Sequence, residues 1–160
     1  MQNKEMLTLV IFSGDLDKLL AAFIIATGAA ASGMQVNMFF TFWGLKLLQR
    51  ADAGTKGLNW MQKLFSLFVK PGSERRPISK LNMFGMGAAM MKKIMKKSKM
   101  PTLGEMILTA KSLNVKLTAC STSMNILGIS RESLIPEVEH VAGVASFLAD
   151  SQQSHTTLFI

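Results

Sequence analysis

The first strong pattern in the chain is a short apolar run at residues 7–12 (Leu-Thr-Leu-Val-Ile-Phe), rich in strand formers and closed by Ser13 and Gly14. Apolarity without polar alternation over that length predicts a strand buried on both faces. Asp15 and Asp17 follow where a first helical turn favours acids, and Leu16, Leu19, Leu20, Phe23, Ile24 and Thr27 recur at helical spacing until Gly33. The aromatic run at 36–42 predicts a second strand, ended by Trp43 and Gly44. Two strands joined by one helix make a right-handed βαβ unit.

The alternation then fails. From 54 to 101, Gly54, Gly57, Pro71, Gly72, Pro77, Gly85 and Gly87 punctuate a stretch rich in Met and Lys, which reads as an insertion in a single domain spanning 1–160. Order returns at Thr102, whose hydroxyl is placed to cap a helix while Glu105 reaches back. Leu103, Met106, Ile107, Ala110 and Leu113 form one face of that helix, and Asn114 suits a left-handed stop. Residues 115–119 predict a third strand that delivers Cys120 to its carboxyl end; Ser121, Thr122 and Ser123 open another helix, closed by Gly128. A strand near 138–142, a helix over about 144–151 and a last strand at 157–160 bring the strands to five. Strands alternating with helices define an α/β sandwich around a mainly parallel sheet.

Composition narrows the class. A chain of 160 residues, 49% of them hydrophobic, is long enough to bury roughly 70% of its unfolded surface without a covalent or metal staple. A single cysteine excludes an internal disulfide, and no Cys or His spacing suits a structural zinc. The leading Met-Gln-Asn-Lys-Glu lacks the basic start and apolar core of a signal peptide, so the expected location is the cytoplasm. Residues 19–45 carry no charge, yet their strongly apolar part, 19–31, is shorter than the ~20 residues a spanning helix needs.

The formal charge of +8 is local. Nine Lys and Arg stand between Lys70 and Lys99 against one acid, Glu74, and the rest of the chain is balanced. On a helix, Met83, Met86, Gly87, Met90, Met91, Ile94 and Met95 share one face while Lys92, Lys93, Lys96 and Lys97 occupy another. That is the pattern of a helix docking on a partner or an anionic membrane, with Met90, Met91, Lys92, Lys93, Met95, Lys96 and Lys97 as its contacts. The structural alternative is a helix packed on the body with a solvated lysine face. Nucleic acid is not indicated, because tyrosine is absent and no stacking aromatics interleave the basic residues.

Cys120 is the leading chemical candidate because reactive groups collect at the carboxyl ends of parallel strands. Donors from the helix that follows, with Ser121 and Ser123, favour a thiolate there. The alternative is an inert buried thiol. Ser13-Gly14-Asp15 suits either a small anion or a plain helix start, and His140 and His155 read as structural residues rather than metal ligands. Dinucleotide, phosphate-loop and Gly-x-Ser-x-Gly signatures are missing.

The initial strand with Ser-Gly-Asp, the block Phe39-Phe40-Thr41-Phe42-Trp43-Gly44, the Met-rich lysine segment before Pro101, and Ala119-Cys120-Ser121-Thr122-Ser123-Met124 through Gly128-Ile129 together resemble the DsrE/DsrF/DsrH-like proteins over essentially the whole chain. The branch resembled is often labelled "peroxiredoxin family protein" or DsrE-like sulfurtransferase. The resemblance implies a three-layer α/β/α sandwich on a parallel five-stranded sheet and assembly into homo-oligomers. It also implies a cysteine, here Cys120, that takes sulfane sulfur from a donor as a persulfide and passes it to a partner thiol without metal or organic cofactor. The peroxidase label does not fit: the usual Thr or Ser three residues before the cysteine is Leu117, and no resolving cysteine exists. On this reading Ser13, Gly14, Thr41, Trp43, Gly44, Ser121, Ser123 and Asn125 line the Cys120 pocket. Two alternatives are an adaptor docking through the Met/Lys segment, peripheral at the inner membrane face, and a single-thiol redox sensor.

Overall fold

The structure, a computed structural model, describes residues 5–52, 72, 78 and 86–160. Its sheet has five strands, β1 (Met6–Ile11), β2 (Gln35–Phe40), β3 (Lys116–Cys120), β4 (His140–Ala142) and β5 (Thr156–Phe159), in the order β4-β3-β2-β1-β5. All neighbouring pairs are parallel. The helices are α1 (Leu16–Ala31), α2 (Met86–Lys97), α3 (Leu103–Ser112), α4 (Ser121–Leu127) and α5 (Val144–Gln153). From β1 to β4 the strands step one way, and β5 returns to the far side of β1. Right-handed crossovers therefore put the last connection on the opposite face from the earlier ones.

Aromatic contacts mark both faces. Phe40 of β2 meets Phe23 of α1 at 6.3 Å, and its neighbour Phe39 meets Phe147 of α5 at 5.3 Å. Alternation along β1 and β3 sends Leu7, Leu9, Ile11, Leu117 and Ala119 into the main core with α1 and α3. Thr8, Thr118 and Cys120 take the opposite parity and turn toward the α5 side. The fold is thus the α/β/α arrangement expected from the sequence, with helices on both sides of a parallel five-stranded sheet.

Three local signals act as their chemistry predicts. Thr102 and Glu105 form a complete capping box at the start of α3. Asn114, at φ 58°, takes the left-handed position after α3, and Gly128, at φ 64°, closes α4. One expectation fails: the second strand ends at Phe40, and 42–48 form a short 3-10 helix (Phe42–Leu48). Phe42 sits at φ 42°, because the chain must turn sharply over the carboxyl end of β1. That tertiary demand overrides the strand preference of an aromatic run.

Of the stretch read as an insertion from 54 to 101, residues 54–71, 73–77 and 79–85 lie outside those described. The remainder contains α2, which is amphipathic in a different way from the sequence expectation. Met95 is buried and Met91 half-buried against the body, whereas Met86, Met90 and Ile94 are exposed. The methionine arc is therefore split, one flank packing on the core and one facing outward. Among the described residues no helix is long and apolar enough to cross a membrane.

Candidate functional site

The carboxyl edge of the sheet brings together the ends of β1, β2 and β3, three segments distant in sequence. Cys120 is the last residue of β3 and the N-cap of α4, with 6% of its surface exposed. The first turn of α4 returns Ser123 over the strand end, and its hydroxyl donates to the Cys120 Sγ at 3.5 Å. Thr41, the first residue beyond β2, places its Oγ1 2.7 Å from the Ser123 Oγ. A hydroxyl has one proton, so when Ser123 donates to sulfur, Thr41 must donate to Ser123. The result is a directed chain from Thr41 through Ser123 to Cys120.

This chain sets the state of the thiol. Burial pushes the Cys120 thiol up, but bonds from the Ser123 side chain and backbone, the Thr41 hydroxyl and the Thr122 backbone outweigh it, so the pKa lies below that of an ordinary thiol. An inert cysteine in an apolar pocket would shift the other way.

Thr41 owes its place to Gly44. The Gly44 N–H bonds the carbonyls of Phe12 at 2.9 Å and Thr41 at 3.0 Å, locking the 3-10 helix onto the end of β1. A Cβ at position 44 would fall 2.2 Å from the Ile11 carbonyl oxygen, so only glycine allows this approach.

The other residues expected at the site have different surroundings. Ser13 is buried, and its hydroxyl is committed to Asp15, donating to the carboxylate at 3.0 Å and accepting from the N–H at 3.2 Å. With Gly14 it forms the entry to α1, the plain helix start of the two readings. Ser121 is half-buried, its Oγ facing Gly143 at the head of α5. Trp43 is half-buried within the 3-10 helix and Asn125 is exposed on α4. His155 accepts from the Met6 N–H through Nδ1 at 3.2 Å and so pins β5 to β1. His140 is exposed at the start of β4. Among the described residues no group of three His, Cys, Asp or Glu side chains is placed to hold a metal ion.

Sequence reasoning missed an aromatic cluster on the same edge. Phe12 stacks on Phe159 at 5.8 Å and meets Phe42 at 5.6 Å, and all three rings are exposed, Phe159 to 70%. The available signal was that each of the three ends or follows a strand, which brings the rings to one edge once the strands are parallel.

Comparison with known proteins agrees with this architecture. The Bacillus subtilis (strain 168) uncharacterized protein YrkE is 40% identical over 153 residues, covering 96% of this chain and 95% of its own. The sulfur carrier protein DsrE2 of Allochromatium vinosum is 30% identical over 166 residues, with 100% of both chains covered. Among solved structures, the YchN protein of E. coli superposes with a TM-score of 0.56 at 11% identity, covering 98% of this chain and 99% of that one. MTH1491 of Methanobacterium thermoautotrophicum, a protein of unknown function, gives 0.55 at 11% identity, covering 97% and 99%. At such identity the two structures speak for the fold alone. The profile of the DsrE/DsrF/DrsH-like family matches residues 3–159, and the chain belongs to that family.

Proposed function

We propose that the protein is a sulfur carrier or sulfurtransferase in which Cys120 holds sulfane sulfur as a persulfide and passes it to a partner thiol. The observation that carries this reading is the hydroxyl chain from Thr41 through Ser123 to a thiol whose pKa is lowered at a strand end. Kinship with a named sulfur carrier supports it. In the loading step the Cys120 thiolate attacks the outer sulfur of a donor persulfide. A new S–S bond forms, the donor's S–S bond breaks, and the donor leaves as a thiolate, which takes up a proton. In the second step an acceptor thiolate attacks the outer sulfur and Cys120 leaves, again as a thiolate. Both steps are exchanges at sulfur, so no external oxidant or reductant enters the balance. Ser123 and Thr41 stabilise the departing Cys120 thiolate in the second step, as they do the resting one.

The donor and acceptor are proteins of a sulfur relay, and the location is the cytoplasm. Assembly into homo-oligomers belongs to the same reading. Val144 and Leu148 on α5, and the rings of Phe12, Phe42 and Phe159, are exposed apolar side chains that a second copy of the chain would cover. The test of transfer is a chase: protein loaded with isotopically labelled sulfane sulfur is mixed with a small acceptor thiol. The label moves to the acceptor in wild type, and Cys120→Ser carries none. Label retained by the loaded wild type would sink the carrier role.

A second reading rests on α2. The exposed Met86, Met90 and Ile94 lie at four-residue spacing, with Lys93 and Lys97 beside them, which suits the surface of an anionic membrane. It predicts salt-sensitive binding to phosphatidylglycerol vesicles that survives Cys120→Ser and is lost in the double variant Lys93→Gln/Lys97→Gln.

A further inference from the structure

On the other flank of α2 the helix does not lie flush on the body. A cleft of about 770 Å³ opens between α2 and the N-terminal ends of α1 and α3. Leu16, Met95, Met100 and Leu103 form its apolar wall, and three of these, Leu16, Met95 and Leu103, are core residues with 6% or less of their surface exposed. Lys92, Lys96 and Lys99 stand at its rim. Lys92 and Lys96 are one turn apart and so line the same wall, whereas Lys93 and Lys97 turn away from it. Among the described residues no carboxylate pairs with Lys92, Lys96 or Lys99.

Among the described residues the one acid lining the cleft, Glu105, is already engaged, accepting from the Thr102 N–H at 2.7 Å and the Thr102 hydroxyl at 2.8 Å. That capping box also occupies the free end of α3, so the positive character of the cleft comes from its lysines. Lys99 adds a second clue. It holds φ 53°, a left-handed position that glycine or asparagine fills at lower cost, two residues past the end of α2. A lysine there lines the cleft at the expense of backbone comfort.

We infer that this cleft is a binding site for a small amphipathic organic anion, its apolar body against Leu16, Met95, Met100 and Leu103 and its anionic group among Lys92, Lys96 and Lys99. The size lies within the range of small-molecule pockets, and the lining joins an apolar wall to a few charged groups of one sign, as such pockets do. The site shares no residue with the Cys120 cluster and stands independently of the sulfur-carrier reading.

The probe is anilinonaphthalene sulfonate, compared with phenylnaphthylamine, which has the same apolar body and no charge. The sulfonate binds saturably at one site per chain, more weakly as salt rises. The triple variant Lys92→Gln/Lys96→Gln/Lys99→Gln raises its Kd about tenfold, the sum of three modest exposed charge contacts. Lys93→Gln/Lys97→Gln, on the same helix but outside the cleft, leaves the Kd unchanged, as does Cys120→Ser. Lys99→Gly weakens binding while raising the melting temperature, so its loss of affinity is not a loss of fold. Equal affinity for the uncharged body, or full affinity in the triple variant, would overturn the inference. Phosphatidylglycerol vesicles leave the probe in place; vesicles that displaced it would make these lysines a lipid-facing surface and overturn the assignment to a small soluble anion.

Discussion

At the scale of single residues, the chemistry of Cys120 is decided by two hydroxyls. Removing a donor that favours the thiolate moves its pKa toward that of an ordinary thiol, so Ser123→Ala and Thr41→Ala both shift the pH midpoint of iodoacetamide alkylation upward and slow the reaction several-fold at neutral pH. The Ser123 hydroxyl favours the thiolate more strongly than the Thr41 hydroxyl does, so Ser123→Ala has the larger effect. Ser123→Thr keeps a hydroxyl and holds the midpoint nearer wild type. The linked effect on stability has a definite sign. A thiol whose folded pKa is depressed stabilises the fold above the unfolded value, and that contribution is lost as pH falls through the folded one. Thermal melts therefore show wild type gaining on Cys120→Ser as the solution becomes alkaline.

Cys120 and both hydroxyls were legible in the sequence, because each ends or follows a predicted strand and parallel strands bring such residues to one edge. The direction of the hydroxyl chain was not legible. It depends on the pitch of the first turn of α4 and on the exact landing of Thr41, which no local pattern encodes.

At the scale of elements, the approach of the 3-10 helix to β1 depends on one missing side chain. Gly44→Ala drives a Cβ into the Ile11 carbonyl, where no rotamer change relieves the overlap, and costs about 3 kcal/mol or more in denaturant unfolding. The same substitution displaces Thr41, so alkylation of the surviving folded protein shifts in the direction of Thr41→Ala. A smaller effect attaches to α3. Thr102→Ala removes the hydroxyl half of the capping box, leaving the backbone N–H of residue 102 on Glu105, and lowers stability by about 1 kcal/mol.

The cap was readable because Thr-x-x-Glu before an apolar face has one local meaning. The end of β2 was not, because Phe42 follows four strand-compatible residues, and only the need to pass over Ile11 turns the backbone left-handed there. Helix α2 shows the converse: its periodicity was plain, but which part of a wide apolar arc meets the body is set by the body. Met91 and Met95 were chosen over Met86, Met90 and Ile94 by packing that the sequence of the helix does not contain.

At the scale of the whole molecule, the alternation of strands and helices announced a parallel α/β sheet, since strands buried on both faces leave few alternatives. The strand order placed the last connection alone on the α5 side, and α5 and the neighbouring strand ends leave large apolar side chains exposed. The exposed Phe159, Phe12, Phe42, Val144 and Leu148 predict self-association: light scattering on wild type gives a multiple of the chain mass, and Phe159→Asp with Leu148→Asp shifts it toward the monomer while the far-ultraviolet spectrum is retained. A monomeric wild type at micromolar concentration would remove this part of the account.

The thiol is buried at the carboxyl edge of the sheet, the exposed rings of Phe12, Phe42 and Phe159 stand on the same edge, and α2 carries Lys92, Lys93, Lys96 and Lys97. The most direct test of the central claim is the intact mass of the purified protein after incubation with a sulfane-sulfur donor. The account predicts one added sulfur atom per chain, removed by reductant and absent from Cys120→Ser. No adduct on wild type, or an equal adduct on Cys120→Ser, would contradict it.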